Sequence, residues 1–565
     1  MSSNDADHAR EMTIDEDGLA RGWEANQAGW RRSSAEAEGV DPAGIRSLID
    51  DLDGDPTQDP HALVVVRHGA VIASAQWEPY ALDRPQLVYS LSKSFTSTAA
   101  GFAAAEGLLD LDAPAADYFP EYADSVARAS RGILVRHLAS MATGHLNDMI
   151  VAFAMDPEHP IKAFLGTPPE REPGSVFTYN QLATYTLGAI VQRRSGVRLS
   201  EYLRPRLLEP LGIAPVGWQQ EPVDVELGFS GLFTTPESVA KLGQLYLRHG
   251  VWNGKRLLSE SWVRQATSLQ VDNALRNSLT KADSDWEQGY GFQFWMARHG
   301  YRGDGAFGQY CIVLPEHDAV VAITSQTVDM QDLLNRVWKH LLPAFRDEPL
   351  QETGGGDALH GIRRGIGFPI ATAQEGASEE EFLSLTELDA AAAGEYQRSA
   401  EDVSLEEYET LTSVALEREH GSGASGWRVV VREQGSAEAA AIPPAEATSA
   451  AEAADGWLAA VAPERTSTTP TGTVGGLVGD GEWVVTNGGE SGTLEVPVAV
   501  RGGIRSSDGV LRIDVAFIDT PHRLTLSFDL GARTVTPRWV TRSLGFSGAY
   551  QLRAVRPGES FAVQR

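Results

Sequence analysis

The chain has 565 residues, 42% hydrophobic and 8% aromatic, a globular composition too long for a single core. Forty-seven Lys and Arg against 77 Asp and Glu leave a net charge of −30, which argues against nucleic acid and anionic membrane surfaces as partners. One cysteine, Cys311, excludes an intrachain disulfide and a CxxC site, and the thirteen histidines form no His-Glu-x-x-His, so neither a metal nor a cofactor is expected.

In chain order, residues 1–38 are polar and predict a flexible segment without a secretory pattern. Residues 42–52 predict an amphipathic helix, and 63–74 a hairpin turning at His68-Gly69-Ala70. A helix of small residues follows, from about 90 to 107. After a turn-rich connector, 135–141 predicts a short helix ending before Thr143-Gly144. Pro173-Gly174-Ser175 introduces Phe177-Thr178-Tyr179-Asn180-Gln181 and a helix over 182–194. Thr235 and Pro236 cap and open a helix to 249, whose stripe of Val239, Leu242 and Leu245 predicts that Lys241 faces water. A strand is expected at 289–295. Residues 308–314 and 319–325 predict a second hairpin, with Cys311 a small buried strand residue. The helix at 331–345 carries Leu333, Leu334, Val337, Leu341 and Leu342 on one face.

Hairpins mean antiparallel pairing, which excludes a doubly wound parallel sheet. Gly-x-Gly-x-x-Gly occurs at Gly303–Gly308 and Gly421–Gly426, but both copies lead into strands, whereas a phosphate cradle needs a helix start. Gly354-Gly355-Gly356-Asp357 marks a boundary. Beyond it, strands are expected at 427–432, 481–487, 492–501, 510–518, 522–530, 534–540 and 549–555, an antiparallel barrel or sandwich interrupted by low complexity at about 434–475. The expected division is a flexible segment 1–38, a first domain 39–350, a linker 351–378 and an antiparallel β domain 379–565. No run of ~18 apolar residues predicts a membrane span, and a cytoplasmic location is expected.

The tetrad Ser90-Leu91-Ser92-Lys93 carries the chemistry. Serine and lysine three apart share a helix face. If that face is buried, the lysine loses solvation, its pKa falls, and the neutral amine can take the serine proton. Ser238-Val239-Ala240-Lys241 and Ser278-Leu279-Thr280-Lys281 have the same spacing, so context must choose. Lys281 lies in a polar loop and Lys241 on a solvated face. The small residues after Lys93 let other elements pack close. The plain alternative is a helix start with a solvated lysine. Tyr179 alone can be a core aromatic, Asn180 and Gln181 a cap, Gly308 a strand glycine, Asp304 a loop charge and Trp295 a core residue.

Several segments in order make a resemblance. Tyr89-Ser90-Leu91-Ser92-Lys93-Ser94 is followed by Gly107-Leu108-Leu109-Asp110-Leu111-Asp112, by Val135-Arg136-His137-Leu138 with Thr143-Gly144, by Pro173-Gly174 with Tyr179-Asn180, by Pro210-Leu211-Gly212-Ile213, and by Gly308-Gln309 before Pro315. Over about 39–345 the chain resembles the serine β-lactamase and penicillin-recognising superfamily. Within it the likeness is to the class C-like branch, with its esterases of β-lactamase fold and aminohexanoate-oligomer amide hydrolases. The resemblance implies an α+β domain, an antiparallel sheet flanked by helices with a helical subdomain, ahead of the all-β C-terminal domain. It implies a serine hydrolase of small esters or amides, with Ser90 as nucleophile at a helix N-terminus and Lys93 and Tyr179 as general base and acid. It also implies backbone N–H groups of Ser90 and Gln309 in an oxyanion hole, with Gly308 and Asn180 beside the substrate.

Two positions depart from the pattern. Gln181 stands where the second motif often has Asn. Ala306-Phe307-Gly308 stands where the third usually starts with Lys or His, and Arg302 is the nearest basic residue in sequence. A ligand-binding sensor on the same fold and an acyltransferase remain alternatives. The alternative hydrolase signature Gly-x-Ser-x-Gly does not occur.

Overall fold

The computed structural model describes residues 30–365, apart from 56, 223, 275–279, 353, 354 and 356, and beyond them chiefly 390–399, 411–418, 426–433, 472–480, 496–505, 509–541 and 552–559. The expected flexible segment up to residue 29, the linker from 366 and the low-complexity stretch 434–471 lie outside the described residues.

A seven-stranded sheet organises the first part of the chain. Its strands are β1 (Pro60–Arg67), β2 (Ala70–Glu78), β3 (Trp295–Met296), β4 (Tyr301–Gly305), β5 (Gln309–Leu314), β6 (Ala319–Ser325) and β7 (Ile362–Gly365), in the order β7-β2-β1-β6-β5-β4-β3. All neighbours are antiparallel except β7, which pairs parallel with β2. Strand β7 falls inside the stretch expected to be linker. Ile-Arg-Arg-Gly is mostly exposed at the sheet edge and is held by backbone pairing, so it has no apolar alternation to read.

Helices cover both faces of this sheet. Helix α4 (Pro236–Leu247) packs so closely that a Cβ on Gly243 would stand 2.8 Å from Cys311 Sγ. Tyr310, the residue before Cys311 in β5 and so on the opposite face, donates its hydroxyl to Met330 O of α5 (Met330–Leu341) at 3.0 Å. Helix α1 (Pro42–Asp53) packs beside α5, where Arg336 meets Asp51 and Asp55. With both faces covered, Leu63–Val66 is buried at every position.

Two expectations fail here. Lys241 is buried, donating to Gly212 O at 3.0 Å and paired with Glu237 at 3.0 Å. The segment after Leu211 folds over the face that helical spacing alone leaves to water. Of the strand expected at 289–295 only Trp295–Met296 forms, because Gly289 and Gln293 take positive φ and bend the chain.

Among the described residues, the C-terminal part forms one eleven-stranded, near-barrel sheet. Its central meander, Val498–Arg505, Leu511–Phe517, His522–Asp529 and Thr534–Trp539, is antiparallel throughout. Strands Gly394–Arg398 and Leu411–Arg418 were not legible in the sequence. The described part of the expected strand 549–555, residues 552–555, is not a strand. This sheet has its own core, yet Ala499, Ala516 and Ile518 are buried in the core of the first part.

Candidate active site

Ser90 lies in a single 3₁₀ turn, Tyr89–Leu91, that runs into helix α2 (Ser92–Ala105). Tyr89 takes φ +46, a left-handed conformation that costs a non-glycine residue about 1–3 kcal/mol. Most of α2 is buried although it is rich in Ser and Thr. Its hydroxyls donate to carbonyls of neighbouring segments: Ser94 to Gln293 O, Thr96 to Gly228 O and Ser97 to Phe292 O, at 2.7–3.0 Å. Small residues allow that approach, and each buried hydroxyl finds an acceptor.

Lys93 sits on this helix with 1% of its surface exposed. Its Nζ is 3.0 Å from Ser90 Oγ, 2.7 Å from Gln181 Oε1 and 2.8 Å from Phe229 O. Burial pushes the amine down to about 7, against the charges of Asp148 and Asp304, which pull it up. Two of the three neighbours are carbonyl oxygens that can only accept. Two N–H groups of the amine satisfy Gln181 and Phe229, and the third position faces the Ser90 hydroxyl.

Tyr179 closes the group. It is half-buried, stacks on Trp295 with centroids 5.3 Å apart, and holds its ring 4.7 Å from Lys93 Nζ. Its hydroxyl is hydrogen-bonded to Ser90, and burial holds its pKa well above the ordinary value, so it remains a neutral phenol. Trp295 is a core residue, as expected, and its place in the core fixes the angle of the phenol.

The second motif runs into helix α3 (Gln181–Ser195). Asn180 is its cap: the side-chain oxygen accepts from Leu182 N at 3.0 Å and Met149 N at 3.3 Å. Expected beside the substrate, Asn180 is fully buried in these cap bonds. Gln181 reaches Lys93 in its stead.

The third motif is shifted from the expectation. The β4 residue lying against the Ser90 turn is Gly305, where a Cβ would stand 2.2 Å from Val88 O and 3.1 Å from Leu91 N. Gly308, assigned there by the resemblance, faces the other way, and Gln309, although its Cβ lies beside the Gly305 position, turns its amide into backbone carbonyls. A Cβ on Gly308 would strike Ser325 and Leu333, and Gln309 donates its amide to Ser325 O at 2.5 Å. The cause is the hairpin, whose last ladder pair is Gly305 with Gln309, so Ala306–Gly308 form its turn. Arg302 is fully buried in β4, donating to Asp304 at 2.9 Å and to Asp285 O at 2.7 Å. Asp304 is thereby a buried strand residue and not a loop charge.

Two contributors carry no motif. Asp148 caps a short helical turn and accepts from Ile150 N at 3.1 Å and Gln181 N at 2.8 Å; burial pushes it up to about 6. Phe229 offers a backbone carbonyl, for which no residue-type signal exists, and its ring lies 5.7 Å from Lys93 Nζ.

Residues 46–342, more than half the chain, match the family model described as Beta-lactamase, and the chain belongs to that family. Over 292 residues it is 26% identical to a 6-aminohexanoate-dimer hydrolase of Paenarthrobacter ureafaciens, covering 47% of this chain and 73% of that one. Over 275 residues it is 25% identical to penicillin-binding protein 4 of Amycolatopsis lactamdurans, covering 41% and 70%. Among solved structures, a D-amino acid amidase of Ochrobactrum anthropi SV3 superposes with a TM-score of 0.40 at 17% identity, over 53% of this chain and 98% of that one. The fold is thus that of the β-lactamase family, extended by the C-terminal β sheet. The resemblance drawn from the motifs agrees with this membership. No described helix is long and apolar enough to cross a membrane.

Proposed function

We propose that this protein is a serine hydrolase of small esters or amides that works through an acyl-enzyme on Ser90. The observation that carries this reading is the buried Lys93 amine, brought down to about 7 and held 3.0 Å from the Ser90 hydroxyl. Lys93 takes the Ser90 proton as Oγ attacks the substrate carbonyl. The oxyanion is received by the Ser90 N–H and by the N–H of Ala306, the first beyond the β4 ladder. Tyr179, a neutral phenol bonded to Ser90, passes the proton to the leaving alkoxide or amine. Water then attacks the acyl group and its proton goes to Lys93, which passes it to Ser90 Oγ as the bond to the acyl group breaks and the acid leaves.

Arg302 is buried against Asp304, so the usual cation for a substrate carboxylate is not supplied at that position. Substrates without a carboxylate beside the scissile bond fit this site better than β-lactams or peptidyl-D-alanines. The test is covalent labelling by a fluorophosphonate, read by intact mass, with turnover measured on a panel of p-nitrophenyl esters and anilides. One adduct, absent from Ser90→Ala, is expected together with turnover. No adduct, or one that persists in Ser90→Ala, removes the reading. An adduct with no turnover favours the ligand-binding alternative, and products transferred to an added amine or alcohol favour the acyltransferase.

A further inference from the structure

The C-terminal sheet meets the first part of the chain directly beside the Ser90 turn. Leu87 N donates to Asp519 O at 2.9 Å, and Arg84 pairs with the Asp519 carboxylate at 2.8 Å. Buried Arg523 and Asp59 pair across the same junction at 2.7 Å. Leu87, Tyr89, Phe233 and Val555 form a separate apolar cluster, with Ala306 and Phe307 packed against it.

His522 stands at the centre of this junction, fully buried at the start of its strand. Its Nδ1 lies 3.3 Å from Thr541 O, which can only accept, so that nitrogen carries the proton. Nε2 is then an acceptor, and Tyr89 donates its hydroxyl to it at 2.5 Å. Burial pushes the imidazole down to about 3, so this tautomer persists at neutral pH. The same ring meets Phe307 edge-on at 5.4 Å, while Tyr89 and Phe307 are themselves 5.6 Å apart.

These two contacts reach both sides of the proposed oxyanion hole. Tyr89 immediately precedes Ser90, and Phe307 immediately follows Ala306. Both hold positive φ, +46 and +63, in residues that adopt it only where their surroundings over-determine the backbone. A neutral imidazole thus accepts from one of these residues and packs on the other.

We propose that His522 is a positioning residue for acylation of Ser90, through which the C-terminal β sheet sets the distance between the two arms of the oxyanion hole. The proposal rests on the Ser90 reading above. The C-terminal part is then a component of the active site.

The test uses the full-length protein with Tyr89→Phe, His522→Ala, His522→Gln and Ser90→Ala. The rate of fluorophosphonate labelling and the kcat and KM for a p-nitrophenyl ester are measured alongside the thermal unfolding midpoint. A displaced hole donor costs on the order of 10²-fold in rate. His522→Ala is expected to lose about that much in kcat and labelling rate with KM nearly unchanged, and Tyr89→Phe about tenfold. His522→Gln restores an acceptor and recovers most of the loss, which a merely space-filling role does not predict. If His522→Ala does not fold, Tyr89→Phe and His522→Gln decide. Variants that label and turn over at the wild-type rate overturn the proposal, as does a loss confined to KM. Failure of the Ser90 reading looks different: the wild type itself is unlabelled, or Ser90→Ala retains turnover.

Discussion

The pH dependence of acylation follows from the surroundings of Lys93. Moving its pKa from 10.5 to about 7 corresponds to a penalty of about 5 kcal/mol on the ammonium, at 1.36 kcal/mol per pH unit. Burial supplies it, and among the described residues no carboxylate pairs with the amine. The base must be neutral, so kcat/KM is expected to rise with pH and reach half its maximum near pH 7; at pH 6 it falls to about a tenth. An ordinary lysine would put that limb more than three pH units higher. Asp148 tests the cause. Its carboxyl, pushed up to about 6, is largely ionised at the limb, and its charge favours the ammonium. Asp148→Asn removes that charge and keeps an acceptor for Gln181 N, so the limb should move down by about one pH unit. Lys93→Met should cost about 10²–10⁴ in kcat and erase the limb. The assay is kcat/KM for a neutral p-nitrophenyl ester from pH 5 to 9. A flat wild-type profile, or a limb that moves up in Asp148→Asn, would refute the assignment of Lys93 as the base.

Three further outcomes are expected. Gln181→Leu leaves a Lys93 N–H without its acceptor, which should lower stability by about 1–3 kcal/mol in urea unfolding and reduce kcat as the amine loses its orientation. Gly305→Ala drives a methyl toward Val88 O and pushes β4 from the Ser90 turn; about 10²-fold should be lost from the fluorophosphonate labelling rate. Arg302→Met removes the buried guanidinium that pairs with Asp304 and donates to Asp285 O, and should destabilise the fold by about 3–5 kcal/mol, measured by chemical denaturation.

The first domain's elements were legible because their signals are local. Pro42 after Asp41, the Leu63–Val66 run, the Asn180 cap and the stripe of α5 each specify one element within a few residues. Strand β7 was not, because an exposed edge held only by backbone pairing needs no apolar pattern. The three lysines with the same serine spacing show the limit for the site. Lys93 and Lys241 are both buried, and only the partners separate them: Glu237 keeps Lys241 paired, whereas two carbonyls and a hydroxyl surround Lys93.

Sequence by itself determined which side chains are available: a serine and a lysine one helical turn apart, a tyrosine ahead of a capped helix, and a glycine-rich hairpin. It could not determine which hairpin residue faces the serine, because one position along a strand reverses the face, and the turn shifted Gly305 into the place expected of Gly308. Nor could it determine the acidity of Lys93, which is a property of excluded water and of carbonyls from distant loops. The contact between His522 and Tyr89, 433 residues apart, exists only once the two sheets have packed together.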